Sequence, residues 1–188
     1  DGIDDLVVGA PFSDINGYNS GSTYVVFGKA GAHDATESLS EIDGSNGFRI
    51  DGAESEQYSG VSVSGAGDVN GDGFDDVIVG TDQTAYVVFG KASDFDATLD
   101  LAMLTSEMGF TITAIPGRTF FSSVSSAGDV NNDGFDDLIV GASTGDDGGY
   151  AYFNQCQRRF RAGKTYIMRL SGAVNNVPGF QAHWRVWF

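Results

Sequence analysis

The feature that most limits the fold of this chain is an internal repeat. The segment GDVNGDGFDDVIVG at 67–80 returns almost unchanged as GDVNNDGFDDLIVG at 128–141. A shorter copy, DGIDDLVVG, stands at 1–9. Self-similarity with a period of about 60 residues indicates a series of similar structural units, each packed against its neighbours.

Further segments recur between these copies in the same order. They are TYVVFGK at 23–29 and AYVVFGK at 85–91, GFRI at 47–50 and GFTI at 109–112, and GVSVSGAG at 60–67 and SSVSSAG at 122–128. Each unit therefore offers four short strands. The runs LVV, VIV, LIV and YVVF are continuously apolar, which favours strands covered on both faces, and they are too short for helices.

The 27 glycines against 3 prolines also favour short strands joined by tight turns. We therefore expect an all-β fold of four-stranded antiparallel units, stacked radially as blades of a β-propeller. A β-sandwich with chance hairpins is the alternative. The predicted division is a partial blade with three strands at 1–58, a complete blade at 59–114 and the start of another at 115–149. Because the chain begins inside a repeat, we expect it to be part of a longer protein, in which further blades cover the free strand edges.

The repeated acidic loops carry oxygen-bearing groups at alternate positions. A loop with ligands at positions 1, 3 and 5, a glycine at 6 and a backbone carbonyl at 7 can wrap hard oxygen atoms around one calcium ion. A carboxylate at position 9 would complete the set. In the loop at 68–76 the predicted ligands are Asp68, Asn70, Asp72, the carbonyl of Phe74, and Asp76.

The loop at 129–137 repeats the pattern with Asp129, Asn131, Asp133, the carbonyl of Phe135, and Asp137. The first copy keeps only Asp1, the carbonyl of Ile3, and Asp5, so we expect it to bind calcium poorly without preceding residues. Magnesium suits such all-protein loops less well, because it gives up its water reluctantly.

Three other kinds of loop share features with these segments. Solvated turns also favour Asp, Asn and Gly, but two copies of five ligand positions in register exceed what a turn requires. An EF-hand needs Glu at position 12, where Val79 and Val140 stand, and it needs flanking helices. A dockerin-like loop also leads into a helix, whereas VIVG and LIVG follow here.

These motifs resemble the FG-GAP repeats of integrin α-subunits and of bacterial surface proteins. Phe27-Gly28 and Phe89-Gly90 provide the FG, Gly9-Ala10-Pro11 provides the GAP, and the loops match DxDxDGxxD with Asn at position 3. The resemblance covers about residues 1–150. It implies a propeller of about seven blades, in which calcium loops join the first two strands of a blade and partners bind the opposite rim.

The loops at about 11–22, 53–59 and 115–120 would then lie on the rim opposite the calcium loops. The first, PFSDINGYNSG, is longer than its counterpart TDQT and is the candidate contact surface, although a tolerated insertion explains its length equally well. Gly80-Thr81-Asp82 and Gly141-Ala142-Ser143 replace GAP in the later repeats, which weakens the motif there.

The charge distribution limits the partners. A net charge of −16 argues against nucleic acid and anionic membranes, and no apolar run is long enough for direct membrane insertion. Residues 150–188 differ: they contain no Asp or Glu and six of the ten Lys and Arg. This basic tail is either a frame-shifted or recombined segment, or a degenerate repeat that caps the open edge.

Together these features predict a non-catalytic calcium-binding module for adhesion or ligand binding, with an extracellular protein or glycan as partner. Extracellular or cell-surface placement follows, because millimolar calcium would fill loops of modest affinity. His33 and His183 stand in no catalytic pattern, so no enzyme activity is expected. The alternatives are the non-catalytic propeller part of a secreted hydrolase or lyase, and a structural spacer in a large surface protein.

Overall fold

The structure, a computed structural model, describes residues 2–31, 36–113, 121–142, 150–154 and 168–170. The elements in this part are strands and two single-turn 3₁₀ helices, which confirms the all-β prediction. The strands are β1 (Leu6–Ala10), β2 (Ser22–Val26), β3 (Gly47–Asp51), β4 (Ser62–Gly67), β5 (Asp76–Gly80), β6 (Thr84–Val88), β7 (Thr98–Asp100), β8 (Gly109–Thr113), β9 (Phe121–Gly128), β10 (Asp137–Ala142), β11 (Tyr150–Asn154) and β12 (Met168–Leu170); the helices are η1 (Leu39–Glu41) and η2 (Leu101–Met103).

The middle sheet has the strand order β4-β5-β6-β8, with every neighbouring pair antiparallel. This is the predicted four-stranded unit, formed by consecutive hairpins and closed by β8. Its register places Ile78 opposite Val87 and Val79 opposite Tyr86. Such cross-strand pairs of β-branched and aromatic side chains stabilise a sheet at its centre.

Side chains of the middle sheet enter two separate cores. Ile78 and Val87 pack with Val124 and Leu138 of the following sheet, whereas Val79 and Val88 belong to the other core, with residues of the preceding sheet. Because side chains alternate across a strand, a run such as VIV fills both cores only when a neighbouring sheet covers each face. The two-sided coverage predicted from the apolar runs is confirmed for this sheet.

The two outer sheets bury one face each within the described residues. In β10, Leu138 and Val140 are fully buried, while Ile139 between them is 39% exposed. In β1, Val7 packs against the shared core, and Leu6 is 60% exposed. The apolar runs of β1 and β10 therefore have only one covered face here, because only one neighbouring sheet is described for each.

One strand pair departs from the antiparallel prediction. The preceding sheet has the order β1-β2-β3-β7, and β7 pairs with β3 in parallel, with Arg49 opposite Thr98 and Asp51 opposite Asp100. β7 lies between β6 and β8 in sequence, so the repeat at 59–114 donates a strand to its neighbour. β7 supplies partners for backbone groups that the edge of β3 would otherwise leave unpaired, and Leu101 after β7 fills the shared core.

The last sheet has the order β9-β10-β11-β12. β11 and β12 come from the 150–188 segment, and β12 (MRL) takes the fourth position that β8 takes in the middle sheet. Both strands pair antiparallel with their neighbours. Residues 155–167 and 171–188 of the predicted basic tail lie outside the described residues, as does the whole of the predicted loop at 115–120.

Candidate metal centre

The loop at 68–76 joins β4 to β5 and is organised around Asp68. Its carboxylate accepts hydrogen bonds from the amides of Gly71 (2.6 Å), Asp72 (3.1 Å) and Gly73 (2.9 Å). Gly71 and Gly73 have φ of 77° and 91°, a left-handed conformation that glycine adopts at little cost. The two glycines therefore let the chain turn around the first predicted ligand.

Asn70 and Asp72 are held by each other. The Asp72 amide donates to Asn70 Oδ1 at 2.8 Å, and Asn70 Nδ2 donates to Asp72 Oδ2 at 2.8 Å. The Phe74 amide donates to Asp72 Oδ1 at 2.9 Å. The side chains at positions 1, 3 and 5 are thus all fixed by amide groups of the same loop.

Asp76, at position 9, is the first residue of β5 and is only 1% exposed. Its carboxylate accepts from the amides of Val69 (3.0 Å) and Gly90 (2.8 Å). Burial raises the pKa of Asp76 to about 7; the two amide bonds oppose this rise, and the negative charges of Asp72 and Asp68 add to it. The negative charges of Asp72 and Asp68 therefore disfavour the ionised form of Asp76, a cost that a bound cation would remove.

The loop at 129–137 joins β9 to β10 and repeats most of this geometry. Asp129 accepts from the amides of Asp133 (3.0 Å) and Gly134 (2.8 Å), and Asp133 accepts from Phe135 (3.1 Å). Asp137 is fully buried, like Asp76.

One predicted ligand in this second loop is oriented differently. Asn131 Nδ2 lies 3.3–3.4 Å from the Asp137 carboxylate, whereas its counterpart Asn70 bonds Asp72. Asn132 takes the place of Gly71, with φ of 57°, a left-handed value that Asn tolerates better than most residues. The two loops therefore share their backbone turn but differ at position 3.

The first copy keeps one feature of the complete loops. Asp5 Oδ1 accepts from the Gly28 amide at 2.8 Å, just as Asp76 accepts from Gly90. Ile3 is 38% exposed. Asp1 lies outside the described residues.

The donor atoms of the two complete loops are oxygens only, which suits a hard cation such as calcium and does not suit zinc or copper. Within residues 2–31, 36–113 and the other described ranges, no three His, Cys, Asp or Glu side chains are gathered closely enough to hold a metal by themselves. The acids are turned towards loop amides, and their chemistry fits calcium.

Sequence reasoning gave no role to Asp136. Its carboxylate Oδ2 accepts from the Asp68 amide at 2.9 Å, and its own amide donates to the Asp68 carbonyl at 3.0 Å. Asp136 thus belongs to one loop and binds the other. The available signal was the paired acid at positions 8 and 9, because Asp4 and Asp75 occupy the same place in the other copies.

The opposite end of the sheets carries the connections at 11–21 and 52–61. They are joined by backbone hydrogen bonds, in which the amides of Glu56, Tyr58 and Ser59 donate to the carbonyls of Tyr18, Asn19 and Ser20, respectively. Three large side chains of the longer connection are exposed to solvent: Phe12 (73%), Ile15 (49%) and Tyr18 (65%). These three residues are called the aromatic rim.

The FG-GAP repeat model matches the chain at residues 1–26, 59–91 and 120–154. Together these segments make up half of the sequence. The chain belongs to the FG-GAP repeat family. The segment at 59–91 contains β4, the acidic loop, β5 and β6, so the family match follows the sheets and loops described above.

The FG-GAP chain is also similar to integrin alpha-4 of Xenopus laevis. The two are 24% identical over 152 residues, which is 78% of this chain and 13% of that protein. The chain thus spans a small part of this relative's length. In the described part of the FG-GAP chain, no helix is long and apolar enough to pass through a membrane.

Proposed function

We propose that this FG-GAP chain is a non-catalytic, calcium-stabilised propeller module of a secreted or cell-surface protein, with a role in adhesion or ligand binding. The observation that carries the proposal is the buried carboxylate of Asp76, placed beside Asp68 and Asp72; in the described part of the chain, no cationic side chain is bonded to it. Calcium would neutralise this charge. Loops of modest affinity, roughly 10⁻⁴ to 10⁻³ M, fill at extracellular calcium levels.

Each complete loop would hold the ion with its side chains at positions 1, 3, 5 and 9 and with the carbonyl at position 7. When bound, the ion supplies positive charge at the tip of a hairpin. The chain's own groups do the rest: backbone amides orient Asp68 and Asp129, and burial keeps Asp76 and Asp137 directed into the loop. Calcium would therefore stabilise the β4–β5 and β9–β10 hairpins.

The aromatic rim is the proposed contact surface for an extracellular protein or glycan. Exposed aromatic side chains provide large contact areas with little conformational entropy to lose. The connection that carries the rim is already ordered. The Asn19 amide donates to the Asp14 carboxylate at 2.7 Å, and the Asn19 carbonyl accepts from the Tyr58 amide at 3.0 Å. A preformed surface binds without a large ordering cost.

Calcium binding is tested by titrating the 188-residue chain with calcium in a calorimeter and by comparing thermal unfolding in calcium and in chelator. We expect binding at two sites and a higher unfolding temperature in calcium. Asp72→Asn and Asp133→Asn should each remove one site. Asp94→Asn is the matched control, an exposed acid outside the loops, and should keep both sites.

Equal unfolding temperatures in calcium and chelator, with no heat of binding, would overturn the calcium proposal. The adhesion role is tested separately by binding to arrays of matrix proteins and glycans, with Phe12→Ser and Tyr18→Ser as variants. Binding that both variants lose supports the aromatic rim. Binding to nothing on the arrays would favour a structural spacer.

A further inference from the structure

The two acidic loops contact each other through Asp136. The Asp68 amide donates to Asp136 Oδ2 at 2.9 Å, and the Asp136 amide donates to the Asp68 carbonyl at 3.0 Å. Both backbone polar groups of Asp68 are therefore held by one residue of the following loop. A hydrogen bond to a carboxylate is stronger than one between neutral groups, so this contact restrains Asp68 firmly.

Two glycines of the first loop make room for the second. A Cβ at Gly67 would overlap the Asp136 carboxylate, and a Cβ at Gly71 would overlap the ring of Phe135. Phe135 also packs against the core cluster that contains Val69. The surface of the loop at 68–76 is thus shaped to receive residues 135–136.

The sheets beneath the loops are joined as well. The inner strands β4 and β9 lie side by side, and the Val124 amide donates to Ser62 Oγ at 3.0 Å. The loops therefore stand on a common support, so a shift of one loop is transmitted through the Asp136 contact and is not absorbed by independent movement of the sheets.

We propose that Asp136 is a positioning residue that couples the two loops, so that calcium in one loop raises the affinity of the other. The inference rests on the proposed calcium binding. Asp136 lies between Phe135 and Asp137, two predicted ligands of its own loop, and it restrains Asp68, the first ligand of the other. An ion that orders 135–137 therefore orders Asp68, and by linkage the effect is reciprocal.

Asp75 provides an internal comparison. It occupies the same repeat position as Asp136 and is exposed, and its carboxylate accepts no hydrogen bond from the described residues. If the inter-loop contact couples the two loops, substitution of Asp136 should change calcium binding and substitution of Asp75 should not. A general effect of acidic charge near the loops would be shared by both residues.

The test is a calcium titration of the full chain followed by NMR, with the amides of Gly73 and Gly134 as separate reporters of the two loops. Screening at about 0.3 M KCl shortens the range of surface electrostatics to a few ångströms. We expect Asp136→Ala to weaken calcium binding at Gly73 about fivefold or more. Asp136→Asn retains an acceptor oxygen, so its calcium midpoint at Gly73 should fall between those of the parent chain and Asp136→Ala. Asp75→Ala should change neither midpoint by more than about twofold.

A second measurement tests the inter-loop contact in the absence of metal. In chelator, hydrogen exchange of the Asp68 amide should be about fivefold faster in Asp136→Ala and unchanged in Asp75→Ala, because only the first removes the acceptor of that amide. If Asp136→Ala does not fold, Asp133→Asn in the second loop replaces it. Emptying that loop should then weaken calcium binding at Gly73 by a similar factor.

The outcomes separate the two proposals. If neither glycine amide shifts at calcium concentrations well above about 10⁻³ M, calcium binding itself is wrong. If both amides shift, but the midpoint at Gly73 is unaffected by Asp136→Ala and by Asp133→Asn, the loops bind calcium independently and the coupling is wrong. Equal effects of Asp136→Ala and Asp75→Ala would also refute it.

Discussion

The repeat offers a matched pair of isoleucines that tests the stacking of the sheets. Ile78 and Ile139 occupy the same position in successive repeats. Ile78 is fully buried between the middle and last sheets, whereas Ile139 is 39% exposed on the far face of the last sheet. Truncation to alanine should therefore have different costs at two positions with the same sequence environment.

The size of the difference follows from burial. Removing a fully buried isoleucine side chain to Cβ costs about 2–5 kcal/mol, because apolar contact is lost and a cavity remains. At Ile139 the side chain has less contact to lose and no enclosed cavity forms, so we expect roughly 1 kcal/mol or less. For a chain of this size, Ile78→Ala should lower the unfolding temperature by roughly 4–20 °C and Ile139→Ala by less than about 4 °C.

The measurement is thermal unfolding and urea unfolding of both variants and the parent chain in calcium, each monitored by circular dichroism. Similar m-values in the three proteins would show that the change lies in stability and not in the unfolded state. An equal, large loss at Ile139 would refute the reasoning, because it would mean that the outer face of β10 is covered in solution.

Three further predictions concern the acidic loops and the turn between β5 and β6. Calcium at about ten times the dissociation constant should raise the free energy of unfolding by about 1.4 kcal/mol per site, a gain that chelator removes in a denaturant titration. Gly71→Asn should destabilise the chain, because the new side chain meets the next loop, whereas Asn132→Gly at the matching position should change stability by only a few tenths of a kcal/mol, as thermal unfolding would show. Burial raises the pKa of Asp82 above 3.8. The carboxyl group therefore contributes stability below pH 3.8, where it is protonated, and this stability is lost as pH rises through the folded-state pKa. Asp82→Asn should be more stable than the parent chain at pH 7, with no advantage at pH 3.

Much of the fold could be predicted because the decisive information is local. The run Val77-Ile78-Val79 needs two apolar neighbours, and the repeated loops give the strand order around it. The turn at Gly71 and Gly73 also follows from local chemistry, since both positions require positive φ. Repetition made these inferences stronger than a single copy would have allowed.

The features that were missed depend on contacts between repeats. β7 is only three residues long, Thr98 is exposed, and its partner β3 is almost 50 residues away in sequence, so no local pattern predicts their parallel pairing. From the sequence, Asp136 is indistinguishable from a solvated acid, because its partner Asp68 belongs to a different repeat. Asn131 bonds Asp137, whereas Asn70 bonds Asp72, and the spacing that the two loops share does not predict this difference.

The parallel pairing of β7 with β3 affects how this protein can be divided. A boundary drawn between repeats, at 58–59, separates β3 from the strand that completes its sheet and leaves the edge of β3 open to other chains. It also removes the stacking partner of Phe48, since Phe95 lies with its ring centroid 4.1 Å away. Fragments for expression should therefore end after β7 and η2 of the following repeat. Mechanical force applied to either repeat should be transmitted to its neighbour through the β3–β7 pair.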